Sequence, residues 1–406
     1  MEFFRDTDID FLEKKWYFLT VTMILFVVGM VSLAIHHGPD MGIDFTGGTQ
    51  MDVKFSRNVP TEQIRGALAG AHLGDLSIQP VNGRNSNELL ISTPLAALNQ
   101  QDLEKSKEAI VQVLYQVTGT NTSGKQDLNN VGVESFTNWL LQKDPEGYIG
   151  LGQQEATQRY TAMANVLLSV RRDKDDGGVL PSFDALAAAP GDAKIAQLAS
   201  QDFILGPFKV RSTSIIGPEV GSQLRNQALW AVLYSLGAML IYIAFRFELI
   251  YGVAAVVAVF HDVLITLGMF SLARLPIDLT VVAAFLTLVG YSMNDTIVVF
   301  DRVRENLPIM RRDKLSVVVN RSINQTLSRT VLTSGLTFLS VLSLLVLGGQ
   351  ALRGFSFAMT FGILVGTYSS IAVAAPMMVA YIEWRNRRQR PVQATASARR
   401  TEKAHS

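Results

Sequence analysis

The stretch VGYSMNDTIVVFDRVREN, Val289–Asn306, starts in an apolar run and ends in a cluster of charge, with Asp295 beside Asn294 inside the run. A carboxylate at the centre of a membrane helix costs about 2.5–3.5 kcal/mol on insertion scales, so such groups face a protein interior, a water-filled cavity or a partner, and they mark ion pathways. Helical spacing puts Leu288, Ser292, Asp295 and Val299 on one face, with Gly290 and Asn294 on the neighbouring stripe. Asp295 reads either as a carboxyl that binds and releases a cation or as a hydrogen-bonded strut between helices. A second acid, Asp262, follows His261 in FHDVLIT. Imidazole changes charge near neutrality, which suits a proton relay, and the competing reading makes one of the two a structural residue bonded to a neighbouring helix. Successive helical residues point about 100° apart, so His261 and Asp262 are not expected to form one site by themselves. Arg329, Thr330, Thr333 and Ser334 open another apolar run near the depth of Asp295, and Arg329 reads there as an interfacial anchor ahead of a direct ion-pair partner.

Other chemistries fit poorly. Two acids in adjacent spans raise an intramembrane aspartyl protease, whose carboxyls share a proton, but YSMND lacks the glycine-x-glycine-Asp pattern and the two acids fall at different depths. No phosphate loop, metal-ligand cluster or Ser/His/Asp constellation stands out, so no cofactor and no metal are expected. His36 and His37 read as membrane-edge residues, and DFTGG, Asp44–Gly48, as a turn feeding a strand.

The elements that must position these residues are long and apolar. Of 406 residues 48% are hydrophobic, while the net charge of +1 gives no bulk basic character that would point to nucleic acid. Cysteine is absent, which excludes disulfides, thiolate metal sites and a cysteine nucleophile within the chain. Six segments reach the length of about 20 residues that crosses a hydrocarbon core: Trp16–Ile35, Ala228–Phe245, Leu249–Leu272, Leu279–Phe300, Thr330–Leu347 and Phe355–Tyr381. The first is expected to stay as an anchor, since its apolar run is longer than a signal peptide's and its leader is acidic. Lys and Arg concentrate in the connections on one side, among them Arg302, Arg304, Arg311 and Arg312, whereas the opposite short loops hold Arg274 and Arg353. The bias places both termini in the cytoplasm.

The expected layout is a cytoplasmic N-terminus over 1–15, a span over 16–35, an extracytoplasmic domain over 36–227, five spans over 228–382 and a cytoplasmic tail over 383–406, disordered after Arg390. In the large polar region Thr49–Phe55 alternates like a strand, Thr61–Ala71 reads as a helix, Leu76–Pro80 and Glu88–Ser92 as short strands, Asn99–Val117 as a helix and Phe203–Val210 as a late strand. That order, β-α-β-β-α-β, is the ferredoxin-like split unit. An insertion over about 118–200 delays the last strand and carries two helix-like pieces, Ser135–Gln142 and Gln154–Arg171.

Several motifs together resemble the SecD/SecF family of protein-export membrane proteins: MGIDFTGGTQ (Met41–Gln50), GPEVGSQL (Gly217–Leu224), RFE (Arg246–Glu248), FHDVLIT (Phe260–Thr266), the run through Asp295, and SINQTLSRTVLTSG (Ser322–Gly335). The resemblance implies a polytopic α-helical membrane protein with six transmembrane helices, an RND-type half, and an extracytoplasmic α+β ferredoxin-like domain carrying a helical insertion. It implies Asp295 as the carboxylate needed for proton-coupled work, with the other charged residues of the relay supplied by SecD, and no enzyme; the residues that type and spacing, apart from the resemblance, put forward for ion coupling beside Asp295 are Asn294, Ser292, His261, Asp262 and Arg329. The implied partners are a SecD-like subunit that completes the membrane assembly, the SecYEG translocon, a translocating unfolded polypeptide and the lipids of a bacterial cytoplasmic membrane. A single Asp serves H⁺ or Na⁺ equally. The rivals are another RND-type transporter half and a passive assembly factor that braces its partners. The long insertion departs from the family's shorter outer domain.

Overall fold

The computed structural model describes residues 7–57, 61–70, 77–81, 87–94, 100–122, 124–172, 178–187, 193–246 and 249–385. The tail after Arg390 and most of the VNGRNSN and DKDDGG turns lie outside them. The chain forms two compact units, 1–42 with 224–406, and 43–223. Helix α1 (Lys15–Ile35) opens the first. The second holds β1 (Gly48–Phe55), α2 (Thr61–Ala69), β2 (Ser77–Pro80), β3 (Glu88–Pro94) and α3 (Gln100–Val117). It continues with β4 (Gln126–Asp127), α4 (Val133–Lys143), α5 (Gln153–Ser169), α6 (Ala193–Asp202), β5 (Phe203–Ile204) and β6 (Phe208–Ile216). Helices α7 (Pro218–Arg246), α8 (Leu249–Ala273), α9 (Leu279–Ile309), α10 (Leu315–Leu347) and α11 (Arg353–Arg385) follow.

In the second unit the main sheet runs β2-β3-β1-β6 with every neighbouring pair antiparallel, the order a split β-α-β-β-α-β unit produces. Period-two alternation turns Met51, Val53 and Phe55 of β1 inward, where Ile64 and Leu68 of α2 and Ile110 and Leu114 of α3 cover them. The insertion builds a core of its own from Phe136, Leu140, Tyr160, Leu167 and Ile195. Arg171 ties its entry together, Nη1 donating to the carbonyls of Leu128, Asn129 and Val131 at 2.7, 3.2 and 2.9 Å. The late strand differs from the expected Phe203–Val210. Phe203–Ile204 pairs in parallel with Gln126–Asp127, and the sheet strand proper begins after Pro207, which has no N–H to give a ladder. The DFTGG turn sits where only glycine fits: Gly47 has φ 71°, and a Cβ there would lie 2.8 Å from the Pro218 backbone.

In the first unit six helices are long and apolar enough to cross a membrane, as the fold class expects. Helices α8, α9 and α11 are half or so buried among their neighbours, whereas α7 and α10 are mostly exposed, so the first three make the heart of the bundle. Helix α10 begins at Leu315, fifteen residues before the expected Thr330, because its polar first turns still bury Val318, Val319 and Ile323 on one face. Helix α7 likewise starts at Pro218. Gly29 of α1 and Gly268 of α8 allow backbone contact, since a Cβ on Gly268 would stand 2.5 Å from the Gly29 Cα. A π-helical turn at Ser370–Ala374 interrupts α11. Such turns recur at functional sites.

Candidate ion site within the membrane helices

Asp295 is 2% exposed, and Ser292, one turn earlier on α9, is buried beside it. The face read from helical spacing is therefore the face turned inward. Two hydroxyls reach Asp295, both on the same oxygen: Ser334 Oγ of α10 donates to Oδ2 at 2.8 Å and Thr367 Oγ1 of α11 at 3.2 Å. A carboxylate offers about four acceptor positions, and among the described residues no donor reaches the other oxygen and no cation lies within ion-pair distance.

Asp262 is placed differently. It is fully buried, and Ser292 Oγ and Ser369 Oγ donate to its Oδ2 at 2.5 and 2.7 Å, while His261 Nδ1 shares a hydrogen bond with Oδ1 at 2.9 Å. The two neighbours bond each other, and the cluster they belong to is completed by Thr22, Ser292 and Ser369 from three other helices. Thr22 Oγ1 of α1 lies 2.8 Å from Nε2 and the Phe26 ring stacks on the imidazole, and together they hold the ring turned toward the carboxylate. With the Nδ1 proton toward Asp262, a neutral ring accepts from Thr22 at Nε2.

Ser292 is the hinge between the two acids, bonded to Asp262 and one turn from Asp295. Gly366 lets α11 close on it, a Cβ there standing 3.1 Å from the Ser292 Cβ. Three successive residues of α11 then make three contacts: Thr367 to Asp295, Tyr368 Oη to the Phe18 carbonyl of α1 at 2.5 Å, and Ser369 to Asp262. The acids bond different hydroxyls and not each other, which is not the shared-proton dyad of an aspartyl protease.

Of the expected set, Asn294 lies elsewhere, exposed on the outer face of α9. Arg329 is exposed on α10 and makes no ion pair with Asp295 among the described residues, but its charge acts on that carboxyl from beyond ion-pair distance. Thr22, Thr367 and Ser369 were not among the expected site residues. Their only signal is that each is a hydroxyl on an inward position of an apolar helix.

A family model described as protein export membrane protein SecD/SecF, C-terminal, matches residues 199–384, and one for the SecD/SecF GG motif matches 33–59. The protein translocase subunit SecF of Koribacter versatilis is 51% identical over 395 residues, covering 96% of this chain and 95% of that protein. The chain belongs to the SecD/SecF family. Within it, the SecF of Calditerrivibrio nitroreducens is 34% identical over 92% of this chain. The SecDF crystal structure from Thermus thermophilus superposes with a TM-score of 0.63 at 30% identity, over 93% of this chain and 39% of that one. The chain thus spans about two fifths of that SecDF chain. The SecD/SecF GG motif match includes Gly47, the glycine at the crowded turn, and Gly48, which opens β1.

Proposed function

We propose that the chain is an accessory subunit of a protein translocase, which works with a SecD-like subunit and the SecYEG channel to promote export of unfolded polypeptide across a bacterial cytoplasmic membrane. In this reading both termini are cytoplasmic, and the work is driven by a cation, H⁺ or Na⁺, that binds and leaves Asp295. The observation that carries it is the coordination of the two acids. Asp262 is filled by three donors that pin α8 to α9 and α11, and His261, one of the three, extends the link to Thr22 of α1. Asp295 has two donors on one oxygen and spare acceptor capacity on the other.

Occupation of Asp295 changes what the carboxyl asks of Ser334 and Thr367, and so the packing of α9 against α10 and α11. A cation that binds one packing more tightly than the other shifts the balance between them by that difference in affinity. Exposed Arg329 and Asn294 face outward, toward a partner's helices in this reading, in keeping with the cost of leaving such groups against lipid. The test is pulse-chase export of a secreted reporter in cells depleted of their own copy. Asp295→Asn at matched membrane levels is expected to slow export as depletion does; export at the wild-type rate would make Asp295 a strut.

A further inference from the structure

At one end of the first unit the chain's own N-terminal segment lies across the start of α10. Asn320 and Asn324, one turn apart, hold its backbone. Both Nδ2 groups donate to the Ile9 carbonyl, at 3.0 and 2.9 Å, while Ile9 N–H donates to Asn324 Oδ1 at 3.0 Å and Phe11 N–H to Asn320 Oδ1 at 2.9 Å. Two side-chain amides here satisfy the strap's backbone as a neighbouring strand would, without reading its side chains. Leu12, 7% exposed, then enters the bundle core.

Beneath the strap is a half-enclosed cavity of about 1200 Å³, walled by the strap, the end of α9, the start of α10 and the end of α11. Its polar lining climbs α10 at one-turn spacing through Asn320, Asn324 and Ser328 and stops there. Ser334, the donor to Asp295, is six residues further on, about 9 Å along the helix. A second link runs from the strap to the site. The Phe11 ring lies 6.4 Å from Phe18, whose ring is 5.8 Å from Tyr368, and Tyr368 sits between the donors Thr367 and Ser369.

We infer that this cavity is the antechamber through which the cation passes between Asp295 and the cytoplasm, leaving the site there as the gradient drives it inward, and that the strap, Thr7–Leu12, is its gate. The inference rests on the proposed ion-carrying role of Asp295. Docked on Asn320 and Asn324, the strap narrows the mouth; released, it opens the polar row toward Ser328. Amide hydrogen bonds at a wet rim exchange with water at small net cost, which suits a contact that makes and breaks.

The absence of cysteine makes the test clean. Ser328→Cys, a near-isosteric change, is placed in the full chain with its partner subunits in membrane vesicles, and a small charged, membrane-impermeant thiosulfonate is added on the strap side. The inference predicts labelling of the thiol and loss, on labelling, of the gradient-driven export that the same variant shows unlabelled. It predicts labelling about tenfold faster or more when the strap is freed by Asn320→Leu with Asn324→Leu. If that double variant does not accumulate, Ile9→Pro, which removes one strap N–H and leaves α10 intact, is expected to give the same rise. A thiol that stays unreactive with the strap freed, or full labelling that leaves gradient-driven export intact while Asp295→Asn abolishes it, would overturn the antechamber and leave the ion-carrying reading standing. Normal gradient-driven export by Asp295→Asn would remove both.

Discussion

Asp262 and Asp295 differ in how many of their acceptor positions are filled, and that difference predicts different losses. Asp262→Asn disturbs a buried, satisfied network joining four helices and is expected to cost about 1–3 kcal/mol, read as a lower unfolding midpoint in detergent, with the gradient response kept in the protein that remains. Ser334→Ala removes a hydrogen bond of the class worth about 1.5–3 kcal/mol when one partner is charged. It is expected to lower the unfolding midpoint and also to cut gradient-driven export about tenfold in the protein that remains folded; a lowered midpoint with export per folded molecule unchanged would count against the assignment. Outside the membrane helices, Asp52 on β1 has an oxygen buried without a partner, and burial raises its carboxyl above the usual carboxylate range despite Arg211 and Lys54 nearby. A raised folded value means that the folded chain holds its proton longer than the unfolded one. The associated stability is present in acid and lost as pH rises through that range. Asp52→Asn should therefore raise the second unit's unfolding midpoint at neutral pH and leave it near wild type in acid, which a pH series of melts would check. At this scale Ser292 and Asp295 were readable from helical spacing alone. Thr22, Thr367 and Ser369 were not, because a helical Ser or Thr bonds its own i−4 carbonyl by default and only the packed neighbours decide otherwise.

Element types were readable wherever one period dominates. The alternation of Thr49–Phe55 became β1, and the apolar runs became helices. Ends were harder. The polar start of α10 is helical because a single stripe, Val318, Val319 and Ile323, packs inward, a pattern that an apolar-length criterion passes over. The late strand broke at Pro207 for want of a donor. Close approach was also invisible, since Gly29 and Gly268 are remote in sequence and meet only when α1 lies on α8. Gly268→Ala is predicted to force those backbones apart at a cost of about 1–3 kcal/mol, the usual penalty of overpacking. The check is a lower unfolding midpoint in detergent, and an unchanged midpoint would show that the helices part without strain.

The whole molecule joins a helical bundle that buries Asp262 and Asp295 to a sheet domain enlarged by an insertion with a separate core. The order of the sheet followed from the β-α-β-β-α-β sequence of elements, but the insertion's core did not, because its helices pack on one another across turns with no periodic signal. Six runs of suitable length and the motifs around Asp295 carried the membrane half and the family. In the proposed function, ion movement at Asp295 drives export. The direct measurement is the rate of reporter export in vesicles with the ion gradient intact and with it dissipated, for wild type and Asp295→Asn at matched levels. Dissipation is expected to slow wild type, and Asp295→Asn is expected to export at the same slow rate in both conditions. A variant that still speeds up when the gradient is present would contradict that role for Asp295.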